Sequence, residues 1–277
     1  MKKILAVFDG VNYSDQTASF GIELAQKTDS LLVGVFLHDL SYSRFVYAYA
    51  WDIPTQYYYG FQEIEKEDNV KISENMKVFT SQCGEKNVKH KIHLDSGVPL
   101  QELLKESAFT DILLIDNKTS FMRIGDRSPS LFLKDLLAES KCPVLIIPDD
   151  KLSINRVVIA YDGSDSSVFA MKMFSYLFPQ WNDMPTNVVT VNHSTSNHVP
   201  KNRDIKDLAN EHFKNLTFTV LNGEPEEELK KFLKKEGSDA LVVLGAYGRS
   251  ALSRMFHSSI SNRILTEVKV PLFIAHQ

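Results

Sequence analysis

The chain has 277 residues, 43% of them hydrophobic, which is enough to bury one large core or two of ordinary size. Its formal net charge of −4 argues against a nucleic-acid partner, because contact with a phosphate backbone needs a clustered excess of Lys and Arg. No stretch has the length of a membrane-spanning helix, and the two cysteines, Cys83 and Cys142, stand outside any CxxC pattern. We therefore expect a cytoplasmic protein with reduced thiols and with neither nucleic acid nor membrane as a partner.

The first half of the chain alternates strand and helix patterns. Short apolar runs predict strands near residues 3–9, 31–37, 88–94, 111–116 and 143–147. Amphipathic patterns between them predict helices near residues 14–27, 63–84, 99–108 and 129–139. Strand, helix and strand in this repeated order indicate right-handed crossovers and a parallel sheet that is covered on both faces.

The first half is longer than the second because it contains an aromatic segment at about residues 41–60. Asp9 and Gly97 are 88 positions apart, whereas Asp162 and Gly223 are 61 positions apart. The segment, SYSRFVYAYAWDIPTQYYYG, is too aromatic for a solvated linker. We expect it to fold over a crevice or to pack on the other half; contact with a partner or a small apolar ligand is the alternative.

The second half repeats the order of the first. Its strands are predicted near residues 156–162, 186–192, 215–221, 239–244 and 271–275. The segments ILAVFDG at 4–10 and VVIAYDG at 157–163 each end a strand in Asp-Gly, and from Asp111 onward the two halves align at a constant offset of 128. We therefore predict two tandem α/β domains at residues 1–150 and 154–277, each with a doubly wound parallel sheet.

A glycine pattern follows the fourth strand of the second half. The apolar run ending at Leu244 meets Gly245, then Gly248, and after nine further residues Ser258 and Ser259 at the head of a helical pattern. Glycines there let backbone N–H groups approach a phosphate, and the helix start adds unpaired donors and the positive end of a dipole. The pattern predicts a phosphate cradle; a tight turn without a ligand is the alternative.

With these residues the chain resembles the universal stress proteins, whose nucleotide-binding members carry G-x2-G-x9-G-S/T. Gly245, Gly248 and Ser259 match that motif, and Ser258 stands where it has its third glycine. The resemblance covers nearly the whole chain. It implies Rossmann-like domains of the adenine-nucleotide α-hydrolase type, and binding of ATP or a related adenine nucleotide, with or without magnesium, by the second domain.

The resemblance also implies which residues bind the nucleotide: adenine contacts near Asp162, a backbone contact at the end of the second strand, and phosphate contacts in the glycine loop. They are Ala160, Tyr161, Asp162, Val191, Gly245, Gly248, Arg249, Ser258, Ser259, Ile260 and Ser261. Taken alone, Asp162 is equally typical of an N-cap or Asx turn before the helix that starts near Ser164. Arg249 could pair with a phosphate or be solvated.

The first half loses the glycines of this motif. The residues in register with Gly245, Gly248, Ser258 and Ser259 are Asn117, Ser120, Ser130 and Leu131. Asp9 and Gly10 survive, but a turn without a phosphate loop is more typical of a structural role. We therefore expect at most one nucleotide site in each chain, in the second domain.

No catalytic residue and no metal site is predicted. The sequence has no GxSxG, HExxH or Walker motif, and His90 and His93 fall on a strand pattern that sends them to opposite faces. A nucleophile, a base and an orienting group cannot be named together, so we expect no enzyme, with ATP hydrolysis slow and incidental at most.

The predicted function is that of a stress-response regulator in which nucleotide orders the glycine loop and changes a surface that a protein partner contacts. The resemblance implies that the two domains pair through their last strands, Val144–Ile147 and Leu272–Ala275, and further association of chains into a homodimer stays open. Two alternatives are a nucleotide-free interaction module with a degraded site and, with less support, an adenylating enzyme.

Overall fold

Strands and helices alternate in the computed structural model, which describes residues 1–40, 55–121, 130–149, 153–193, 197–236, 239–245 and 269–275. The strands in these ranges are β1 (Lys3–Asp9), β2 (Leu31–Asp39), β3 (His90–Gly97), β4 (Ile112–Asp116), β5 (Val144–Ile147), β6 (Arg156–Ala160), β7 (Pro185–Asn192), β8 (Asn215–Asn222), β9 (Ala240–Gly245) and β10 (Leu272–Ala275). The helices are α1 (Asp15–Thr28), α2 (Thr55–Glu85), α3 (Pro99–Ser107), α4 (Leu131–Glu139), α5 (Asp165–Leu177), α6 (Asn202–His212) and α7 (Pro225–Glu236), with a 3-10 helix at Pro179–Trp181. The alternation confirms the predicted α/β fold class.

These strands form one continuous sheet in the order β3-β2-β1-β4-β5-β10-β9-β6-β7-β8. Within each half every neighbouring pair of strands is parallel. The halves meet where β5 runs antiparallel to β10, with Leu145 opposite Phe273. The last strands of the two halves therefore pair within the chain, as predicted. Because this pairing is antiparallel, the carboxyl ends of the parallel strands lie at one edge of the sheet in the first half and at the opposite edge in the second.

Both faces of the sheet are covered, which is why the central strands β4, β5 and β10 are buried along their whole length. Side chains of α1, α2, α5 and α6 pack on one face, and side chains of α3, α4 and α7 pack on the other. The first of these cores runs through both halves. The ring centroids of Phe273 and Phe174 are 5.5 Å apart in this core. The ring of Phe20 in the first half packs against it, with its centroid 6.4 Å from that of Trp181 in the second half.

The largest departure from the predicted elements is the start of α2. The amphipathic pattern predicts a helix from residue 63, whereas α2 begins at Thr55 and includes the last six residues of the aromatic segment. The prediction was short because Tyr and Gly have low helix propensity, and Gly60 lies in this stretch. Tyr59 is 63% exposed, so it does not pack into the body of the protein. Residues 41–54 of the segment lie outside the described residues.

Two further predictions involve residues that are not described. The boundary between the two predicted domains lies at residues 150–154, of which 150–152 are not described. The helix expected after Ser259 falls entirely within residues 251–268, which are not described either. Among the described residues, no helix combines the length and the apolar character that a membrane crossing requires.

Replacing Phe273 with alanine tests the continuous core. The ring is fully buried and lies 5.5 Å from Phe174 and 5.9 Å from Phe178. We expect Phe273→Ala to lower the free energy of unfolding by about 3–5 kcal/mol, because the variant leaves a cavity. The matched control is Phe109→Ala, whose ring is 78% exposed and whose loss should cost less than about 0.5 kcal/mol. Equal destabilisation of both variants in urea titrations would contradict this account of the core.

Candidate functional site

The predicted nucleotide residues of the second half meet at one edge of the sheet. Ala160, the last residue of β6, pairs with Leu244 on β9 and with Val189 on β7. Tyr161 and Asp162 directly follow β6, Gly245 ends β9, and Val191 lies near the end of β7. The order of the strands reverses between β6 and β9, which is where doubly wound sheets bind ligands. We call this edge, formed by the carboxyl ends of β6, β7 and β9, the second-half crevice.

The structure brings together only part of the predicted set. It places Ala160, Tyr161, Asp162, Val191 and Gly245 at the second-half crevice. The remaining predicted residues lie outside the described residues, and they are Gly248, Arg249, Ser258, Ser259, Ile260 and Ser261. The assignment of these six to a phosphate cradle therefore stays a prediction.

Asp162 is exposed and takes part in the turn that leads into α5. Its Oδ1 accepts a hydrogen bond of 2.9 Å from the backbone N–H of Ser164, which is an Asx turn. Ser164 itself is the N-cap of α5, because its side chain accepts from the N–H of Ser167 at 3.1 Å. Asp162 thus forms the Asx turn that its sequence position also indicated. Its carboxylate nevertheless remains exposed at the crevice.

The side chain of Tyr161 is part of the hydrophobic core. It is 2% exposed, its ring belongs to the core, and burial raises the pKa of its hydroxyl, as do Asp162 and Asp204. The hydroxyl donates a 3.0 Å hydrogen bond to the carbonyl of Pro200, which also packs on Gly163. Gly163 has φ +82°, a conformation that favours glycine. A ligand in the crevice would therefore meet the backbone of Tyr161 and not its ring.

Gly245 is required by packing whether or not a ligand binds. A Cβ at this position would overlap the backbone of Ser166 and Ser167 in the first turn of α5. The end of β9 thus touches the helix directly, and only a residue without a side chain permits that approach. Part of the glycine pattern consequently reflects contact between strand and helix. Sequence spacing cannot separate this cause from a phosphate cradle.

The first half has a cavity of about 530 Å³ at the corresponding place, between the carboxyl ends of β1 and β4. We call it the first-half cavity. The sequence predicts loss of the nucleotide motif here, and it indicated no cavity. The one signal was the pair Asp116-Asn117, in register with Leu244-Gly245 of the second half. Side chains of β1, of the turn before α1 and of the segment after β4 line it.

Two carboxylates of the first-half cavity are held by neutral donors. Asp116 is 8% exposed; its Oδ2 accepts from the hydroxyl of Ser14 at 2.8 Å, and its Oδ1 accepts from the backbone N–H of Lys118 at 2.7 Å. Asp9 accepts from the N–H of Val11 at 3.1 Å and from the side-chain amide of Asn12 at 2.6 Å. Burial raises the pKa of Asp9, and these hydrogen bonds oppose that shift.

His90 and His93, which the sequence analysis considered as metal ligands, each contact a different oxygen atom of the protein. Nδ1 of His93 lies 3.0 Å from Oε1 of Glu106, and Nδ1 of His90 lies 2.9 Å from the carbonyl oxygen of Val88. In the part of the chain that the structure describes, no group of three or more His, Cys, Asp or Glu side chains could hold a metal ion.

Among known protein families, one matches the second half of the chain. The family model for the Universal stress protein family matches residues 153–276. The second half of the chain, residues 153–276, therefore belongs to this family. Universal stress proteins of Mycobacterium tuberculosis (strain ATCC 25618 / H37Rv) and Mycobacterium bovis are 40% identical to it over 48 residues. That match spans 17% of this chain and only 16% of the length of those curated relatives.

Solved universal stress proteins extend the likeness of fold to both halves. A universal stress protein from Archaeoglobus fulgidus DSM 4304 matches 99% of this chain and 96% of its own at 17% identity, with a TM-score of 0.72. A putative universal stress protein from Pseudomonas aeruginosa UCBPP-PA14 matches 99% of this chain and 93% of its own at 13% identity, with a TM-score of 0.53. Both halves of the chain therefore have the fold of these universal stress proteins.

One universal stress protein was solved in complex with cAMP. It matches 45% of this chain and 98% of its own at 20% identity, with a TM-score of 0.35. That score is too low for any inference about a site in this chain.

Replacing Gly245 with alanine tests the packing role of this glycine. We expect Gly245→Ala to lower the free energy of unfolding by about 1–3 kcal/mol without any ligand, because the new methyl group forces β9 away from α5. The matched control is Gly60→Ala in α2, where a Cβ would meet nothing within 4 Å. That change should instead stabilise the helix by about 0.5–1 kcal/mol. Urea titration measures both, and a Gly245→Ala protein as stable as the parent would refute the packing role.

The reactivity of the two cysteines tests their placement in the structure. Both are free thiols, and burial raises the pKa of Cys83 to about 12 and that of Cys142 to about 11. Only the thiolate is nucleophilic, so both thiols should resist iodoacetamide at pH 8 in the folded protein. Both should react fully in urea, as mass spectrometry would show. Rapid alkylation of either thiol in the folded state would contradict its placement.

Proposed function

We propose that the whole chain is a universal stress protein, a regulatory protein that binds ATP or a related adenine nucleotide in the second-half crevice. One observation carries the proposal. Asp162, Val191 and Gly245 converge at adjacent strand ends, at the reversal of strand order, in the half that matches the family model. Ligands of doubly wound sheets bind at such points.

The charges around α5 indicate how a nucleotide would lie. Ser164 already caps the N-terminus of α5, and Asp165 adds a negative charge to its first turn. The ammonium of Lys201 lies 3.2 Å from Oδ1 of Asp165, so this cation is engaged as well. The N-terminus of α5 is therefore unsuited to a triphosphate. The phosphates are expected instead along the segment that starts at Gly245 and continues through Gly248 to Ser259.

The base and the sugar would then lie over the ends of β6 and β7. The exposed carboxylate of Asp162 can accept a hydrogen bond from an adenine amino group or from a ribose hydroxyl. The backbone near Val191 borders the same space. This orientation uses Asp162 as an acceptor beyond its Asx turn, since a carboxylate has lone pairs for several donors.

The proposed activity is binding and not catalysis. Nucleotide would stabilise one arrangement of the glycine loop and so change the surface that a protein partner contacts. A ligand can shift such an equilibrium only by its difference in affinity for the two arrangements. We expect ATP hydrolysis, with or without magnesium, to be slow and incidental.

Calorimetric titration of ATP with magnesium tests the proposal on the intact protein and on two matched variants. Gly248→Val adds a branched side chain to the predicted cradle, and Ser120→Val makes the corresponding change in the first half. We expect one site on the intact protein, an affinity at least about tenfold weaker in Gly248→Val, and no change in Ser120→Val. The titration should be repeated with ADP and AMP to rank the nucleotides.

Other outcomes would point to the alternatives. Absence of ATP binding to the intact protein, together with binding to Ser258→Gly, would indicate a degraded site. Absence of binding to both would overturn the nucleotide proposal and leave an interaction module. Release of pyrophosphate that depends on an added substrate would indicate an adenylating enzyme.

A further inference from the structure

The first-half cavity has the size and position of a ligand site. Its volume of about 530 Å³ lies within the range of small-molecule pockets. It opens at the reversal of strand order between β1 and β4, as the second-half crevice does between β6 and β9. Because the two half-sheets run in opposite directions, the two sites lie at opposite edges of the sheet, and each can hold its own ligand.

The residues that differ between the halves change the chemistry of this cavity. Where the second half ends its fourth strand with Leu244 and Gly245, the first half has Asp116 and Asn117. An apolar side chain is thus replaced by a buried carboxylate. The two glycines of the predicted cradle are replaced by Asn117 and Ser120. This site is therefore not a weakened copy of a nucleotide site.

Asp116 lacks a cationic hydrogen-bond partner among the described residues. Its two donors are the hydroxyl of Ser14 and a backbone N–H group, which are both neutral. A buried carboxylate without a counter-charge is costly, and a cation supplied by a ligand would remove that cost. The partners that Asp9 has, a backbone N–H and an amide, are also neutral.

The other charged side chains that line the cavity also favour a cation. One ammonium group lines the cavity, that of Lys118, and it forms an ion pair with Asp149. Four carboxylates line it, those of Asp9, Asp15, Asp116 and Asp149. The net charge of the described lining is therefore −3, which repels nucleotides and attracts cations into the cleft.

The other walls indicate an organic cation and not a bare metal ion. The half-buried ring of Tyr13 contributes an aromatic wall, and no group of three or more acidic, His or Cys side chains among the described residues is arranged for a metal. Asn12 and Ser120 add hydrogen-bonding groups. We propose that the first-half cavity binds a small organic amine, whose ammonium group is held by Asp116 and Asp9 and whose hydrocarbon part lies against the ring of Tyr13.

Putrescine and its uncharged analogue butane-1,4-diol test this proposal by calorimetry on the full chain. We expect putrescine to bind with a stoichiometry of one and the diol not to bind. Asp116→Asn keeps the shape of the side chain and removes its charge. We expect it to lower the affinity for putrescine at least about tenfold. Asp9→Asn provides a second variant should Asp116→Asn fold poorly. The matched control is Asp207→Asn on α6, a largely exposed carboxylate of the other half, which should leave putrescine affinity unchanged.

Three outcomes would overturn the proposal: no binding of putrescine to the intact protein, equal binding of the diol, or an equal loss of affinity in Asp207→Asn. The proposal does not depend on nucleotide binding by the second half. Saturating ATP should leave putrescine affinity unchanged because the two sites lie at opposite edges. Competition between ATP and putrescine would contradict the separate first-half site, whereas failure of ATP alone to bind would affect only the proposed function.

Discussion

The antiparallel pairing of β5 with β10 is the interaction on which the rest of the structure depends. It joins two parallel half-sheets into one sheet and buries the last strand of each half on both sides. The same pairing extends one aromatic core across both halves. It also sends the carboxyl ends of the two sets of strands to opposite edges. The second-half crevice and the first-half cavity therefore lie at opposite edges of one sheet.

The two sites differ through a few residues at the end of one strand. In the second half Gly245 lets the end of β9 lie directly on the first turn of α5. In the first half Asp116 is buried and bonded to the cap of α1. The same fold thus ends this strand with a glycine packed on a helix at one edge and with a buried carboxylate at the other.

Sequence patterns predicted the elements well where local signals agree. Ser164 followed by a helical pattern indicated the start of α5, since an N-cap side chain acts within one turn. The start of α2 was predicted too late because poor helix formers precede residue 63, and helix propensity alone does not set its first residue. The first-half cavity was missed because its walls come from β1, from the turn before α1 and from the segment after β4, which lie far apart in the sequence.

The sequence by itself determined the alternation of strands and helices, the internal repeat and the glycine pattern, because each depends on neighbouring residues or on a fixed spacing. Tertiary structure alone decided what those residues do. It showed that Gly245 is required by contact with the backbone of Ser166, and that Asp116 is a buried carboxylate with neutral partners. Both facts depend on distances between segments far apart in the chain, and burial and electrostatics follow from those distances and not from residue order.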